Sequence, residues 1–229
     1  MGNARGGVLP ERRQGLAERP GEVPDGIRRF VAPAAATTID RTAIPPEFEM
    51  SLNDIATAMQ RVERAFTRRP EAGLHDDAPA MARWQGGARF VASHPGGHQV
   101  PTDMPTELGG GGSAVTPGWL FRAGLASCAA TSIAMSAAAA GIALEVLEVS
   151  ASSRSDTRGL LGMAGADGTP VYAGPHDMQL QVRIVAHAVP PERLRRLVRD
   201  AVGRSPVPSV LPNATPLALH IDAGDAAEA

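Results

Sequence analysis

Apolar residues recur at helical spacing directly after Ser51. They form one stripe along the chain: Leu52, Ile55, Met59, Val62 and Phe66. Ser51 is a favourable N-cap residue, and the stripe ends before Pro70, which cannot continue a helix. The pattern therefore predicts one amphipathic helix over residues 49–70, ahead of the main domain.

Alternating apolar positions favour strands further along the chain. Residues 81–93 carry apolar residues on both sides of Gly86-Gly87, which indicates a hairpin. Alternation also predicts strands over residues 142–150, 178–185 and 217–221. The segment 94–105 is rich in turn residues, and the glycine run 109–112 is expected to be a flexible loop.

Two further helices have clear starting signals. Thr116 and Pro117 form an N-cap and first-turn pair, and the helix they open is expected to reach Ala140 before Gly141 ends it. Pro191 begins the second, an amphipathic helix. Strands and helices do not alternate regularly, so we predict an α+β fold rather than a doubly wound sheet.

Composition sets the domain organisation. With 43% apolar residues in 229, the chain can bury a sizeable core, whereas 25 Gly and 20 Pro imply extensive loops or tails. Residues 1–48 show no sustained period, so we expect a disordered or draped tail there. The main domain is expected over residues 79–222, followed by a tail over residues 223–229.

Charge and cysteine content bound the partners and the compartment. The net charge is only -2 and the basic residues are scattered among acids, so no nucleic-acid partner is expected. The longest apolar stretch, 120–147, is alanine-rich and broken by Arg122, so no membrane span is expected. A single cysteine and the absence of a presequence pattern predict a soluble, cytoplasmic protein.

No cofactor or metal is expected. The histidines are dispersed, and His94 and His98 are separated by Pro95-Gly96-Gly97, which prevents the helical alignment of a metal pair. The glycine run 109–112 lacks the Lys-Ser/Thr ending and the preceding strand of a phosphate-binding loop.

Cys128 is the one cysteine and lies in the middle of the predicted helix 116–140. Its helical face is apolar and carries small residues such as Gly124 and Ser132, so another backbone could approach closely. Two interpretations stay open. Cys128 is either a small buried hydrophobe or a reactive thiol.

Several local motifs together resemble the OsmC/Ohr family over the run 84–210. The matching motifs are Glu107–Gly110, Thr116–Pro117, Leu120–Cys128, Arg158–Gly162 and Ser205–Val207. The resemblance implies an OsmC-like fold in which antiparallel sheets wrap around central helices. It also implies an intertwined homodimer with the reactive thiols near the subunit interface.

The same resemblance implies a redox activity that responds to oxidative stress. Characterised members are oxidoreductases that reduce organic hydroperoxides with two cysteines, through a sulfenic acid and then a disulfide. Here the position of the second cysteine holds Ser205, which cannot form a disulfide. An internal cycle is therefore excluded, and an external thiol is the expected reductant.

A peroxidatic cysteine must be ionised, and a free thiol with a pKa of about 8.5 is only a few per cent thiolate at neutral pH. The resemblance implies an arginine held by a glutamate ten residues before the thiol, but that position holds Gly118. Sequence alone leaves the arginine open among three candidates: Arg83, Arg89 and Arg122. Glu107 is either a local loop acid or an accessory group near the pocket.

Two functions therefore remain as hypotheses. The first is a one-cysteine, thiol-dependent peroxidase that reduces small hydroperoxides through Cys128. The second is a catalytically inactive OsmC-like dimer that binds an apolar or thiol-bearing small molecule, as the changes at Gly118 and Ser205 suggest.

Overall fold

The computed structural model describes residues 51–213 and 215–223. The predicted amino-terminal tail, residues 1–48, and the predicted carboxy-terminal tail beyond residue 223 lie outside this range. The described helices and strands follow in this order: α1 (Leu52–Arg68), β1 (Met81–Trp84), β2 (Phe90–Ser93), β3 (Gln99–Thr102), α2 (Pro117–Ala139), β4 (Leu144–Arg154), α3 (Thr157–Leu160), β5 (His176–Ala186), α4 (Pro191–Gly203) and α5 (Pro206–Val210). Short 3-10 segments cover Pro70–Gly73 and Thr106–Leu108.

Helix α1 confirms the amphipathic helix predicted after Ser51. The Ser51 hydroxyl accepts the N–H of Asp54 at 3.2 Å, and the Asp54 carboxylate accepts the Ser51 N–H at 3.0 Å. This reciprocal capping satisfies two donors at the helix start, and the hydrogen bonds from Ser51 lower the pKa of Asp54. The helix packs against α2.

The first sheet has the order β1-β2-β3 and is antiparallel throughout. The predicted hairpin around Gly86-Gly87 is confirmed, and both glycines have positive φ. Residues 94–105, predicted to be rich in turns, also contain strand β3. The turn covers residues 95–97 and the strand begins at Gln99. Pro101 is tolerated because β3 lies at the edge of this sheet.

The second sheet consists of β4 and β5, a long antiparallel pair. Both predicted strands are confirmed and extend further than their apolar alternation, to Arg154 and back to His176, because polar residues continue the ladder. Strand β4 packs on α2. A core of Ala137, Ile142 and Leu194 joins α2, this sheet and α4.

The predicted closing strand over residues 217–221 is wrong. Residues 215–223 have no regular structure, and Leu217, Leu219 and Ile221 are 93%, 79% and 79% exposed. Alternation gives a segment two chemically different faces, but a strand also needs a neighbouring edge for its N–H and C=O groups. In the described part of a single chain this segment pairs with no edge.

Helix α2 is the central element. Helices α1, α4 and α5 and strand β4 all pack on it. Thr116 caps its start by accepting the N–H of Trp119 at 3.2 Å, and Gly141 follows its end with φ of 66°, as the sequence predicted. Among the described helices, α2 alone is long and apolar enough to cross a membrane, a property that the core helix of a soluble protein shares.

Candidate functional site

Cys128 lies midway along α2 and is half-buried. Leu125 and Ala129, its neighbours on the inner side of the helix, are fully buried. The sulfur faces the turn between α4 and α5. It is thus held by a rigid helix while one side stays open.

Ser205 lies directly against this sulfur. Its Oγ is 3.2 Å from the Sγ of Cys128, and it accepts a hydrogen bond from the Oγ of Ser132 at 3.0 Å. The Ser205 side chain is 0% exposed, so water does not compete for its hydroxyl. The position that resembles the family's second cysteine is therefore next to Cys128, as the resemblance implied.

A backbone donor also points at the sulfur. The N–H of Val207 donates to the Sγ of Cys128 at 3.5 Å. Pro206 and Pro208 have no N–H, so Val207 supplies the one backbone donor among the first three residues of α5. Ser205 is the N-cap of α5 but makes no capping hydrogen bond. The cysteine sulfur takes the donor that a serine N-cap normally accepts.

The predicted close approach at the small residues of α2 holds for Ser132 and not for Gly124. Ser132 contacts Ser205, whereas Gly124 is exposed and a Cβ built on it would meet no atom within 4 Å. The backbone at Ser205 follows directly from the end of α4, where the N–H of Ser205 donates to the carbonyl of Val202 at 3.1 Å. Helix packing therefore fixes the distance between the thiol and its donors.

The groups in contact with the sulfur are uncharged. The Val207 N–H donates to it, and in the contact between Cys128 and Ser205 either side chain can be the donor. A thiolate has no proton to donate, so beside a thiolate Ser205 would have to be the donor.

The three candidate arginines do not contact this sulfur in the described part of the chain. Arg89 donates to the Oγ of Ser113 at 3.3 Å, and the half-buried Arg122 donates to the Oγ of Ser153 at 3.4 Å. Arg83 lies in β1, opposite Val91 of β2.

Glu107 is also separate from the thiol. It is exposed in the short 3-10 segment and accepts the Thr106 hydroxyl at 3.2 Å. Among the described residues the sulfur's hydrogen-bond partners are therefore Ser205 and Val207, both uncharged.

The first turn of α2 has no acidic residue. Gly118 lies there, and a side chain built on it would meet the guanidinium of Arg122 at 3.7 Å. The neighbouring Trp119 is about half exposed. The carboxylate that the family resemblance places ten residues before Cys128 is therefore missing from this turn.

The glycine-rich loop is held by Asp103, a residue that sequence reasoning missed. Its carboxylate is 3% exposed and accepts the N–H groups of Met104, Gly111 and Ser113 at 2.8, 3.2 and 3.1 Å. It also accepts the Ser113 hydroxyl at 2.8 Å.

These bonds, chiefly those from Ser113, lower the pKa of Asp103 to about 2, so the group is anionic at neutral pH. The hydrogen bonds to Asp103 therefore hold the loop in one conformation, and the expectation of a flexible loop is corrected. The one sequence signal for these hydrogen bonds is an isolated acid shortly before a glycine run.

Comparison with known proteins places these features in a family. Residues 110–220 match the family described as OsmC-like protein. The fold is similar to that of an OsmC like protein from Mycoplasma pneumoniae, with 17% identity, 61% of this chain and 89% of that chain covered, and a TM-score of 0.50. An organic hydroperoxide resistance protein OsmC from Legionella pneumophila also matches, with 21% identity, coverage of 60% and 91%, and a TM-score of 0.44.

No protein with a curated description matches the sequence significantly. The family match spans Cys128, its hydrogen-bond partners Ser205 and Val207, and helices α2, α4 and α5. Residues 110–220 therefore form an OsmC-like domain.

Proposed function

We propose that the chain is a one-cysteine, thiol-dependent peroxidase that reduces organic hydroperoxides with an external thiol. The observation that carries the proposal is the placement of the Cys128 sulfur, which is half-exposed and lies within reach of two donors. Such a sulfur combines accessibility with stabilisation of the thiolate, the two properties that a peroxidatic cysteine needs.

In the first step the Cys128 thiolate attacks the terminal oxygen of the hydroperoxide. The S–O bond forms as the O–O bond breaks, so the sulfur is oxidised by two electrons to a sulfenic acid. The departing alkoxide takes a proton from water and leaves as an alcohol. Ser205 and the Val207 N–H hold the sulfur in place during the attack.

In the second step an external thiol replaces the missing second cysteine. Ser205 lies where an internal thiol would attack, but a hydroxyl does not displace water from a sulfenic acid to form a disulfide. An external thiol attacks the sulfenic sulfur, releases water and forms a mixed disulfide. A second thiol equivalent then releases Cys128 and leaves as the oxidised disulfide. This requirement supports a cytoplasmic location, where reducing thiols are kept available.

The test of this proposal is Cys128→Ser. We expect consumption of cumene hydroperoxide with dithiothreitol to fall to the uncatalysed background, because a serine hydroxyl is not ionised at neutral pH. A dimedone adduct should form on oxidised wild-type protein and be absent from the variant. Ser136→Ala, a change on the same helix outside the sulfur's contacts, should retain full turnover. Equal turnover of wild type and Cys128→Ser would rule the peroxidase out.

A homodimer is part of the proposal because α2 exposes one face in a single chain. That face carries small and apolar residues: Gly124, Ser127, Thr131 and Met135. The alternating segment 217–221 and Trp84 of the first sheet are also exposed, which is the expected state of surfaces that a second copy covers. We expect light scattering to give twice the chain mass of 23.7 kDa. A single-chain mass would contradict the dimer.

An apolar groove favours a second candidate function, an inactive dimer that binds an apolar or thiol-bearing small molecule. The groove lies between α1 and α2 and has a volume of about 830 Å³. Its apolar lining consists of Ile55, Ala58, Met59, Val62, Phe66 and Met135. If this candidate is correct, Cys128→Ala should leave the affinity for an apolar fluorescent probe unchanged, and wild type should not consume hydroperoxide.

A further inference from the structure

We infer that Ser132 is a positioning residue that directs the hydroxyl proton of Ser205 toward Cys128. The inference deepens the proposed peroxidase function and rests on it for its purpose. Its basis is a short chain of three side chains in which Ser132 contacts Ser205 and Ser205 contacts the sulfur. Ser132 acts through Ser205, since its hydroxyl donates to that residue and not to the sulfur.

Proton counting sets the direction of this chain. Each serine hydroxyl has a single proton to donate and can accept as well. The Ser205 hydroxyl is completely buried, and it has two neighbours, the sulfur at 3.2 Å and Ser132 at 3.0 Å. If it donates to one neighbour, it can only accept from the other.

The charge on the sulfur selects between the two directions. A thiolate can only accept, so beside a thiolate Ser205 donates to the sulfur and accepts from Ser132. A neutral thiol can also donate to Ser205, which leaves the Ser205 proton free to turn toward Ser132. The donation from Ser132 to Ser205 is the arrangement that an ionised Cys128 requires.

The orientation of Ser132 differs from that of another serine on the same helix. Serines inside helices often donate to a carbonyl of the preceding turn. Ser127 does so, since its hydroxyl donates to the carbonyl of Gly124 at 3.2 Å. Ser132 instead donates to Ser205, in the turn between α4 and α5. Ser136→Ala, on the same helix but outside the sulfur's contacts, is the control for the loss of a helix hydroxyl.

The test measures the rate at which iodoacetamide alkylates Cys128 in the reduced full-length protein. At pH 7 we expect Ser132→Ala to slow alkylation about threefold and Ser205→Ala about fivefold, the size of a typical hydrogen-bond contribution. Ser132→Ala in the Ser205→Ala background should cause no further change. Ser136→Ala should react at the wild-type rate, and Ser132→Thr should restore most of the rate because it keeps the hydroxyl.

The pH profile separates this role from a packing role. Loss of donation to the thiolate should move the rate profile of Ser132→Ala to higher pH, while the plateau rate at high pH is equal to or above that of wild type, because a less stabilised thiolate is a stronger nucleophile. An equal loss of rate at every pH would overturn the inference. So would an effect of Ser132→Ala that persists in the Ser205→Ala background, or a wild-type rate for Ser132→Ala.

Alkylation needs no peroxide, so the inference and the proposed function fail separately. If the alkylation pattern holds while wild type does not consume cumene hydroperoxide, the peroxidase is wrong and the role of Ser132 stands. If wild type consumes hydroperoxide while Ser132→Ala alkylates as wild type does, the inference is wrong and the peroxidase stands.

Discussion

Ser205→Cys is expected to give the chain an internal disulfide cycle. The Oγ of Ser205 lies 3.2 Å from the Sγ of Cys128, and a disulfide brings two sulfurs to about 2.0 Å. A shift of roughly 1 Å between the two side chains therefore completes the bond. The new thiol would attack the sulfenic sulfur of Cys128 and release water, the step that the wild-type hydroxyl cannot perform.

The measurement is a thiol titration after one equivalent of cumene hydroperoxide. The variant should lose both thiols and recover them with dithiothreitol, whereas wild type should give a dimedone-reactive sulfenic acid. Ser136→Cys is the matched control, because residue 136 lies eight positions along α2 from Cys128, about 12 Å along the axis. It should keep its added thiol free. Two remaining thiols in oxidised Ser205→Cys would contradict the geometry of the site.

Gly110→Ala should destabilise the protein by about 2–3 kcal/mol, at the upper end of typical overpacking costs. A Cβ at this position would lie only 1.9 Å from the carbonyl oxygen of Met104. Neither atom can move aside easily, since the N–H of Gly110 is bonded to the carbonyl of Pro105 and the carboxylate of Asp103 holds the following residues. The loop must open or the backbone must shift.

Urea unfolding checks this prediction, with Gly203→Ala as its control. A Cβ on Gly203 meets no atom within 4 Å, and the residue ends α4, so alanine there should be neutral or slightly stabilising. Equal unfolding midpoints for the two variants would show that the loop accommodates a methyl group and is not held in one conformation by Asp103.

The helices were predictable because their signals are local. Ser51, Thr116 and Pro191 each lie at the start of an apolar period, and each begins a helix where the sequence predicted it. Strand pairing is not local in the same way. β3 is a strand because β2 offers it an edge, whereas residues 217–221 alternate more clearly and pair with no edge in the described chain. Alternation alone does not distinguish these two cases.

The site was predictable in part. Family resemblance singled out Cys128 and Ser205, and helical spacing put Ser132 on the face of the cysteine. The contact between Cys128 and Ser205 spans 77 positions, which no periodicity reveals. Sequence reasoning looked for a cation beside the thiol, but the donors in contact are a hydroxyl and a backbone N–H. Backbone donors, like those that hold Asp103, leave no trace in residue identity.

The prolines on either side of Val207 have a mechanical consequence. Because proline has no N–H, Val207 is the one backbone donor among the first three residues of α5. The cysteine sulfur accepts its hydrogen bond. A bulky adduct on that sulfur would break this exposed hydrogen bond and weaken the attachment of the last short helix to α2. The chemical state of a single atom would then be transmitted to the carboxy-terminal end of the chain as a change in its attachment.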